Sequence, residues 1–228
     1  MAAVLALDFD DTLVLNNVTH LLFERFATPA WRDADAAYRE GRMSVEESNA
    51  AAFAAIDIDI SREAMVAFVL DVAEVRPGLL ELVDWAHWHG WQVVVVSNGF
   101  DIAVDAVLDR LGLDRIARHC GRTRRSYRWQ VRYQSPRGIE VRERFKVAYV
   151  ASFLGAGDFV AYAGDGASDV EAASMAHAVF ARSTLLDRLS GSRDRVYPFA
   201  TFHDVVAVLD REGAAWLESF SSTTAAED

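Results

Sequence analysis

Three short acidic or polar motifs and one lysine carry the chemistry available to this chain. Asp8-Phe-Asp10-Asp11-Thr12 ends an apolar run that starts at Val4. Ser97-Asn98-Gly99 ends the run WQVVVV, residues 91–96. Gly164-Asp165-Gly166-Ala167-Ser168-Asp169 ends residues 159–163, and Lys146 lies near the start of a helical stretch. Packed carboxylates raise one another's pKa unless a cation neutralises them. Hard oxygen ligands in small number suit magnesium, which keeps waters and shares a substrate phosphate. A serine hydroxyl, backbone N–H groups and a lysine then suit a phosphoryl group. Metal and lysine together screen charge so that an anionic nucleophile can approach an anionic ester. A carboxylate nucleophile passing through an aspartyl-phosphate is one form of covalent catalysis.

Those motifs work only if separate elements bring them to one edge. Residues 4–9, 91–96, 159–163, 178–181 and 196–199 read as strands, and the first three are continuous rather than alternating. Continuous apolar strands indicate a parallel sheet covered on both faces. Helical patterns at 79–89, 102–111, 145–154 and 170–176 alternate with them, and Thr201-Phe-His-Asp204 reads as a capping box before residues 205–209. This alternation predicts a doubly wound, Rossmann-like α/β sheet, in which ligands bind beyond the carboxyl ends of the strands. Residues 16–75 break the rhythm with helix signals only, at 18–27, at 44–55 behind the capping box Ser44-Val-Glu-Glu47, and at 63–73. We read them as a small helical cap inserted after the first strand, with 1–15 and 76–220 as the core domain and 221–228 as a frayed, flexible tail.

Residues 122–146 hold eight Arg and one Lys against Glu140 and Glu143, with Tyr127, Trp129, Val131 and Tyr133 alternating with polar residues. They predict an exposed basic hairpin at about residues 120–142. It has two readings: a flap with solvated arginines, which we favour, or a face that recognises an anionic surface or a partner subunit. Aromatic residues at hairpin spacing could stack bases. The net charge of −11 argues against nucleic acid. With 228 residues, 52% of them apolar, the chain has material for a real core. The single cysteine, Cys120, excludes an internal disulfide framework, suits a reducing cytoplasm and reads as a buried, inert thiol. The N-terminus lacks a signal-peptide pattern, and no stretch reaches the ~20 apolar residues of a membrane span. The six histidines form no metal-ligand pattern. Asp11 reads as a turn cap, and the Phe and Trp residues of 16–75 as packing.

Asp8-x-Asp10-x-Thr12, Ser97, Lys146 and Gly164-Asp165-Gly-x-x-Asp169, in this order, resemble the four motifs of the haloacid dehalogenase superfamily. The helical insert resembles the cap of its phosphoserine phosphatase group. SNGFDIAVDAVLDRLGL, residues 97–113, is similar to that group and to its methionine-salvage phosphatase relatives. The resemblance implies roles. Asp8 is the nucleophile and a metal ligand. Asp10 protonates the leaving oxygen, then activates water, and lends its backbone carbonyl to the metal. Ser97, the Asn98 amide and Gly99 hold phosphate, Lys146 bridges phosphate and Asp8, and Ser168 sits near the phosphate. Asp165 binds Mg²⁺, with Asp169 behind it or joined through a water.

The expected activity is magnesium-dependent hydrolysis of a small-molecule phosphomonoester by a soluble cytoplasmic monomer or homodimer with no nucleic-acid or membrane partner. Alignment on the first motif puts Asn17, and alignment on residues 41–46 puts Ala52, where phosphoserine phosphatases carry a substrate-binding Glu and Arg. Phosphoserine is thereby disfavoured, and the enol phosphate of methionine salvage becomes a candidate by resemblance. A phosphomutase is the nearest enzyme alternative. A phospho-accepting receiver domain is the non-enzyme one, although its acidic pair and acceptor lie on different strands and it has no such insert.

Overall fold

A computed structural model describes residues 2–192 and 194–224. In chain order its elements are β1 (Ala3–Leu7), α1 (Val18–Phe26), α2 (Trp31–Arg39), α3 (Val45–Ala54), α4 (Arg62–Val72), α5 (Leu79–Trp88), β2 (Trp91–Phe100) and α6 (Asp101–Arg110). They continue with β3 (Ala117–Arg125), β4 (Trp129–Gln134), β5 (Glu140–Val141), α7 (Phe145–Gly155), β6 (Phe159–Gly164), α8 (Val170–Met175), β7 (Ala178–Ala181), α9 (Ser183–Leu189), β8 (Val196–Pro198) and α10 (Phe202–Thr224). The chain divides into two compact units, one of Met1–Leu7, Val75–Val94 and Val150–Asp228, the other of Asp8–Glu74 and Val95–Tyr149.

The first unit is the α/β half. Its strands follow the order β2-β1-β6-β7-β8, with β2 contributing its N-terminal half. β1 pairs with β6, β6 with β7 and β7 with β8, all parallel. Every residue of β1, β6 and β7 is buried, the physical reason that these segments read as unbroken apolar runs. Helices α5, α8, α9 and α10 belong to the same unit. Trp91, Phe159 and Trp216 pack in series, with ring centroids 5.8 and 6.1 Å apart. Helix α10 is longer than expected. It starts where Asp204 accepts the Thr201 N–H at 2.8 Å, and it runs through residues 221–224 of the expected tail. Residues 225–228 of that tail lie outside the described residues.

The second unit holds α1 to α4, the C-terminal half of β2, then α6 and the strands β3, β4 and β5. Residues 18–72 are helical wherever they are regular, and they include α2, which the sequence patterns did not announce. Ser44 and Glu47 form the expected capping box at the start of α3. Phe23 and Phe53 pack on Phe100, with centroids 5.5 and 4.8 Å apart, so these aromatic side chains are packing. β3 and β4 make the antiparallel pair, with Thr123 opposite Val131 and Arg125 opposite Trp129. The hairpin is exposed on one face only. Trp129, Val131 and Tyr133 are buried, whereas Arg124, Arg128 and Arg132 face outward. Cys120 is buried, and desolvation pushes its thiol up to about 12, as expected of an inert cysteine.

Candidate active site

Asp8 is the residue after β1, with an extended backbone (φ −71°, ψ 164°). Its carboxylate is buried and lies 2.7 Å from the ammonium of Lys146, which is itself 3% exposed. The chain then coils through Phe9–Leu13 and closes when the Val14 N–H donates to the Phe9 carbonyl at 3.0 Å. Phe9, Thr12 and Leu13 anchor this coil in the core. Asp11 takes the left-handed conformation (φ 56°), which aspartate tolerates better than most residues, and its carboxylate accepts a 3.0 Å bond from the Asn17 amide. That turn role is the one its position suggested.

The coil delivers Asp10 to the first turn of α1. Thr19 donates to both of its oxygens, from the backbone N–H at 3.1 Å and from Oγ1 at 2.6 Å. Desolvation pushes the Asp10 pKa up. The two Thr19 bonds oppose that shift, and the nearby Asp11 charge adds to it. A carboxyl group held above the ordinary carboxylate range is suited to donating a proton.

β2 does not stop at Val96 as its composition suggested. It continues to Phe100, so Ser97, Asn98 and Gly99 are strand residues, all buried. Ser97 Oγ accepts the Gly99 N–H at 2.9 Å, which leaves its hydroxyl proton as a donor. Gly99 is crowded, because a Cβ there would lie 3.1 Å from Asp10 Oδ2 and 3.2 Å from both Ser97 Oγ and Thr19 Oγ1. Asn98 is fixed on two sides. Its side-chain amide donates to Glu46 at 2.9 Å, and its carbonyl accepts from Tyr133 and from Asn49. Asp8, Asp10, Ser97 to Gly99 and Lys146 all belong to the second unit.

The other carboxylates belong to the first unit. Asp165 follows β6, and Asp169 is fully buried behind it. Asp169 accepts from the Tyr162 hydroxyl at 2.6 Å and from the N–H groups of Asp165 and Gly166 at 3.2 and 2.9 Å. It therefore shapes the loop that presents Asp165, and it makes no side-chain capping bond to the helix beyond. Each of the two offers a carboxylate oxygen within 4.8 Å of the other's. Ser168 is half-buried on the short helical turn between them. Gly164 is packed so tightly that a Cβ would come within 2.7 Å of Asp169 Cγ and 2.9 Å of Tyr162 Cε1. Gly164→Ala is expected to lower stability by about 1–3 kcal/mol, the usual scale of overpacking. A shift in the urea midpoint measures it, and an unchanged midpoint would contradict the packing described.

Residues 5–174 match the model of the haloacid dehalogenase-like hydrolases. The chain belongs to this family. A phosphatase from Bacillus mycoides, named for 2-hydroxy-3-keto-5-methylthiopentenyl-1-phosphate, is 26% identical over 206 residues, covering 89% of this chain and 93% of the relative. A Brevibacillus brevis protein of the same name is 25% identical over 213 residues, covering 91% and 95%. Among solved structures, a phosphoserine phosphatase captured as a phospho-aspartyl intermediate analogue superposes with a TM-score of 0.68 at 22% identity, covering 92% of this chain and 98% of that one. A probable phosphoserine phosphatase from Vibrio cholerae gives 0.71 at 17% identity, covering 96% and 67%. These structures share the α/β haloacid dehalogenase fold. The expected enzyme class, a phosphatase, agrees with the named relatives.

Sequence reasoning passed over the partners that hold the motif residues. Thr19 fixes Asp10, Tyr162 fixes Asp169, and Glu46, Asn49 and Tyr133 fix Asn98. No spacing rule marks such contacts. Glu46 was further hidden beside Glu47, whose capping role was legible.

Proposed function

We propose that this phosphatase hydrolyses a small phosphomonoester by way of an aspartyl-phosphate on Asp8. The supporting observation is the buried Asp8–Lys146 pair, 2.7 Å apart, in which a nucleophilic oxygen is held beside a cation able to reach a phosphoryl oxygen. Asp8 Oδ attacks phosphorus and the ester P–O bond breaks, while Asp10 gives its proton to the leaving oxygen. Asp10 then takes a proton from water, whose oxygen attacks phosphorus and frees Asp8 and inorganic phosphate. Ser97 Oγ and the backbone N–H of Asn98 bind phosphoryl oxygens, with Ser168 beside them, while the Gly99 N–H holds Ser97 Oγ in place.

The donor set fits magnesium: hard carboxylate oxygens from Asp8, Asp165 and Asp169, with the Asp10 carbonyl. β1 and β6, the strands that precede Asp8 and Asp165 in the chain, are parallel neighbours with Leu7 opposite Ala163. Bound there, magnesium supplies positive charge against the phosphoryl group and the attacking carboxylate.

For the substrate, the relatives' name favours the enol phosphate of methionine salvage. The phosphoserine reading lacks its charged contacts. Asn17 spends its side chain on the His20 N–H and on Asp11, and Ala52 is buried. The single cysteine favours a cytoplasmic location. Among the described residues no helix is long and apolar enough to cross a membrane. Phosphate release from a panel of phosphorylated metabolites, with magnesium and after its chelation, tests the proposal. Turnover of the enol phosphate that stops on chelation is expected. Release that chelation leaves untouched, or none from any ester, would refute it.

A further inference from the structure

Glu46 sits in the first turn of α3 and is 3% exposed. Its Oε1 is doubly engaged, accepting from the Asn98 side-chain amide and from the Phe145 N–H, each at 2.9 Å. Its Oε2 is, among the described residues, the buried side-chain polar atom that has no hydrogen-bond partner. A buried acceptor left unmade carries its full desolvation penalty, so such an atom calls for a donor from outside the chain. Both anchors of Oε1 adjoin the chemistry, since Asn98 follows Ser97 and Phe145 precedes Lys146. The carboxyl group is therefore pinned beside the residues assigned to phosphate.

Glu46 also lines a cavity of about 650 Å³ within the second unit. Met43, Ala50 and Val131 give that cavity apolar wall, and four arginines, Arg42, Arg128, Arg132 and Arg142, outnumber Glu46, Glu47 and Glu140 on its lining. An apolar wall suits a short carbon chain. The arginines disfavour an ammonium group, so a neutral hydroxyl is the donor that fits.

We propose that Glu46 is a specificity-determining residue, its Oε2 accepting a hydrogen bond from a hydroxyl on the leaving group of the phosphomonoester. The inference rests on the phosphatase reading above and adds the class of substrate, a hydroxylated alkyl phosphate. An analogue without that hydroxyl leaves the acceptor buried and unpaired, which is the discrimination a hydrogen-bonding site enforces most strongly.

The test compares kcat/KM of the full chain, loaded with magnesium, on glycerol 3-phosphate, n-propyl phosphate and phosphoethanolamine. The wild type is expected to favour glycerol 3-phosphate over n-propyl phosphate by about tenfold or more. Glu46→Gln is expected to bring that ratio close to one through KM, with its thermal melt recorded alongside. A purely structural role would lower both esters together and leave the ratio intact, which would overturn the proposal. So would a wild type that shows no preference, or one that prefers phosphoethanolamine. Release from none of the three would remove the phosphatase reading along with Glu46's role. Turnover with an unchanged ratio would remove the role alone.

Discussion

Asp8→Asn is expected to abolish turnover, with kcat on an aryl phosphate falling roughly 10⁴-fold or more, the scale of losing a covalent nucleophile. The substitution is nearly isosteric, and the amide oxygen can still accept from Lys146, which reaches Oδ1 at 2.7 Å in the parent. The site's shape should survive, so the loss reports chemistry. An amide oxygen is a poor nucleophile towards phosphorus, and no other carboxylate of the unit stands in the same place. Asp10 is committed to Thr19 through both oxygens. Acid quenching of the wild type during turnover should trap phosphate on the protein, and the variant should trap none. A variant that keeps normal turnover would show that water attacks the ester directly, with Asp8 acting only in binding.

The residues that carry this prediction were legible because they sit where strands end. β1, β6 and β7 are buried throughout, so each is a solid apolar run with polar residues beginning abruptly after it. Asp8 and Asp165 mark those transitions. The same rule misjudged β2. Ser97 and Asn98 are polar yet lie within the strand, because hydrogen bonds from Gly99, Tyr133 and Asn49 and to Glu46 satisfy them there. Composition sees a stop signal where tertiary partners have made burial affordable. Helix α2 was missed for a different reason. Its N-cap is Ala30, whose side chain makes no capping bond, so no start signal was present. The buried face of the hairpin was half legible. The alternation of Trp129, Val131 and Tyr133 was visible, but that it marks an inward face follows from packing such as Phe53 against Trp129, at 5.8 Å. The arginines on and around this strand drew attention to the outer face instead.

Lys146→Met should be the second large effect, and it separates stability from catalysis. The lysine is 3% exposed and its partner carboxylate nearly as well buried, so removing the ammonium strands a negative charge in the interior. Breaking a buried pair from one side costs about 3–5 kcal/mol. The single variant is therefore expected to unfold at markedly lower urea concentration. It should also lose roughly 10²–10³ in kcat, because a fixed positive charge at the transferring phosphoryl group is gone. Asp8→Asn made in the same chain removes the stranded charge. The double variant should then recover much of the stability while staying inactive. The cycle of wild type, two single variants and the double variant isolates the coupling between the two groups, which should lie well above the few tenths of a kcal/mol seen for independent sites. Additive stabilities would mean that the 2.7 Å contact contributes nothing as a pair. The recovery is the discriminating result, since a lysine acting only as packing for Asp8 would leave the double variant at least as unstable as the Lys146→Met single variant.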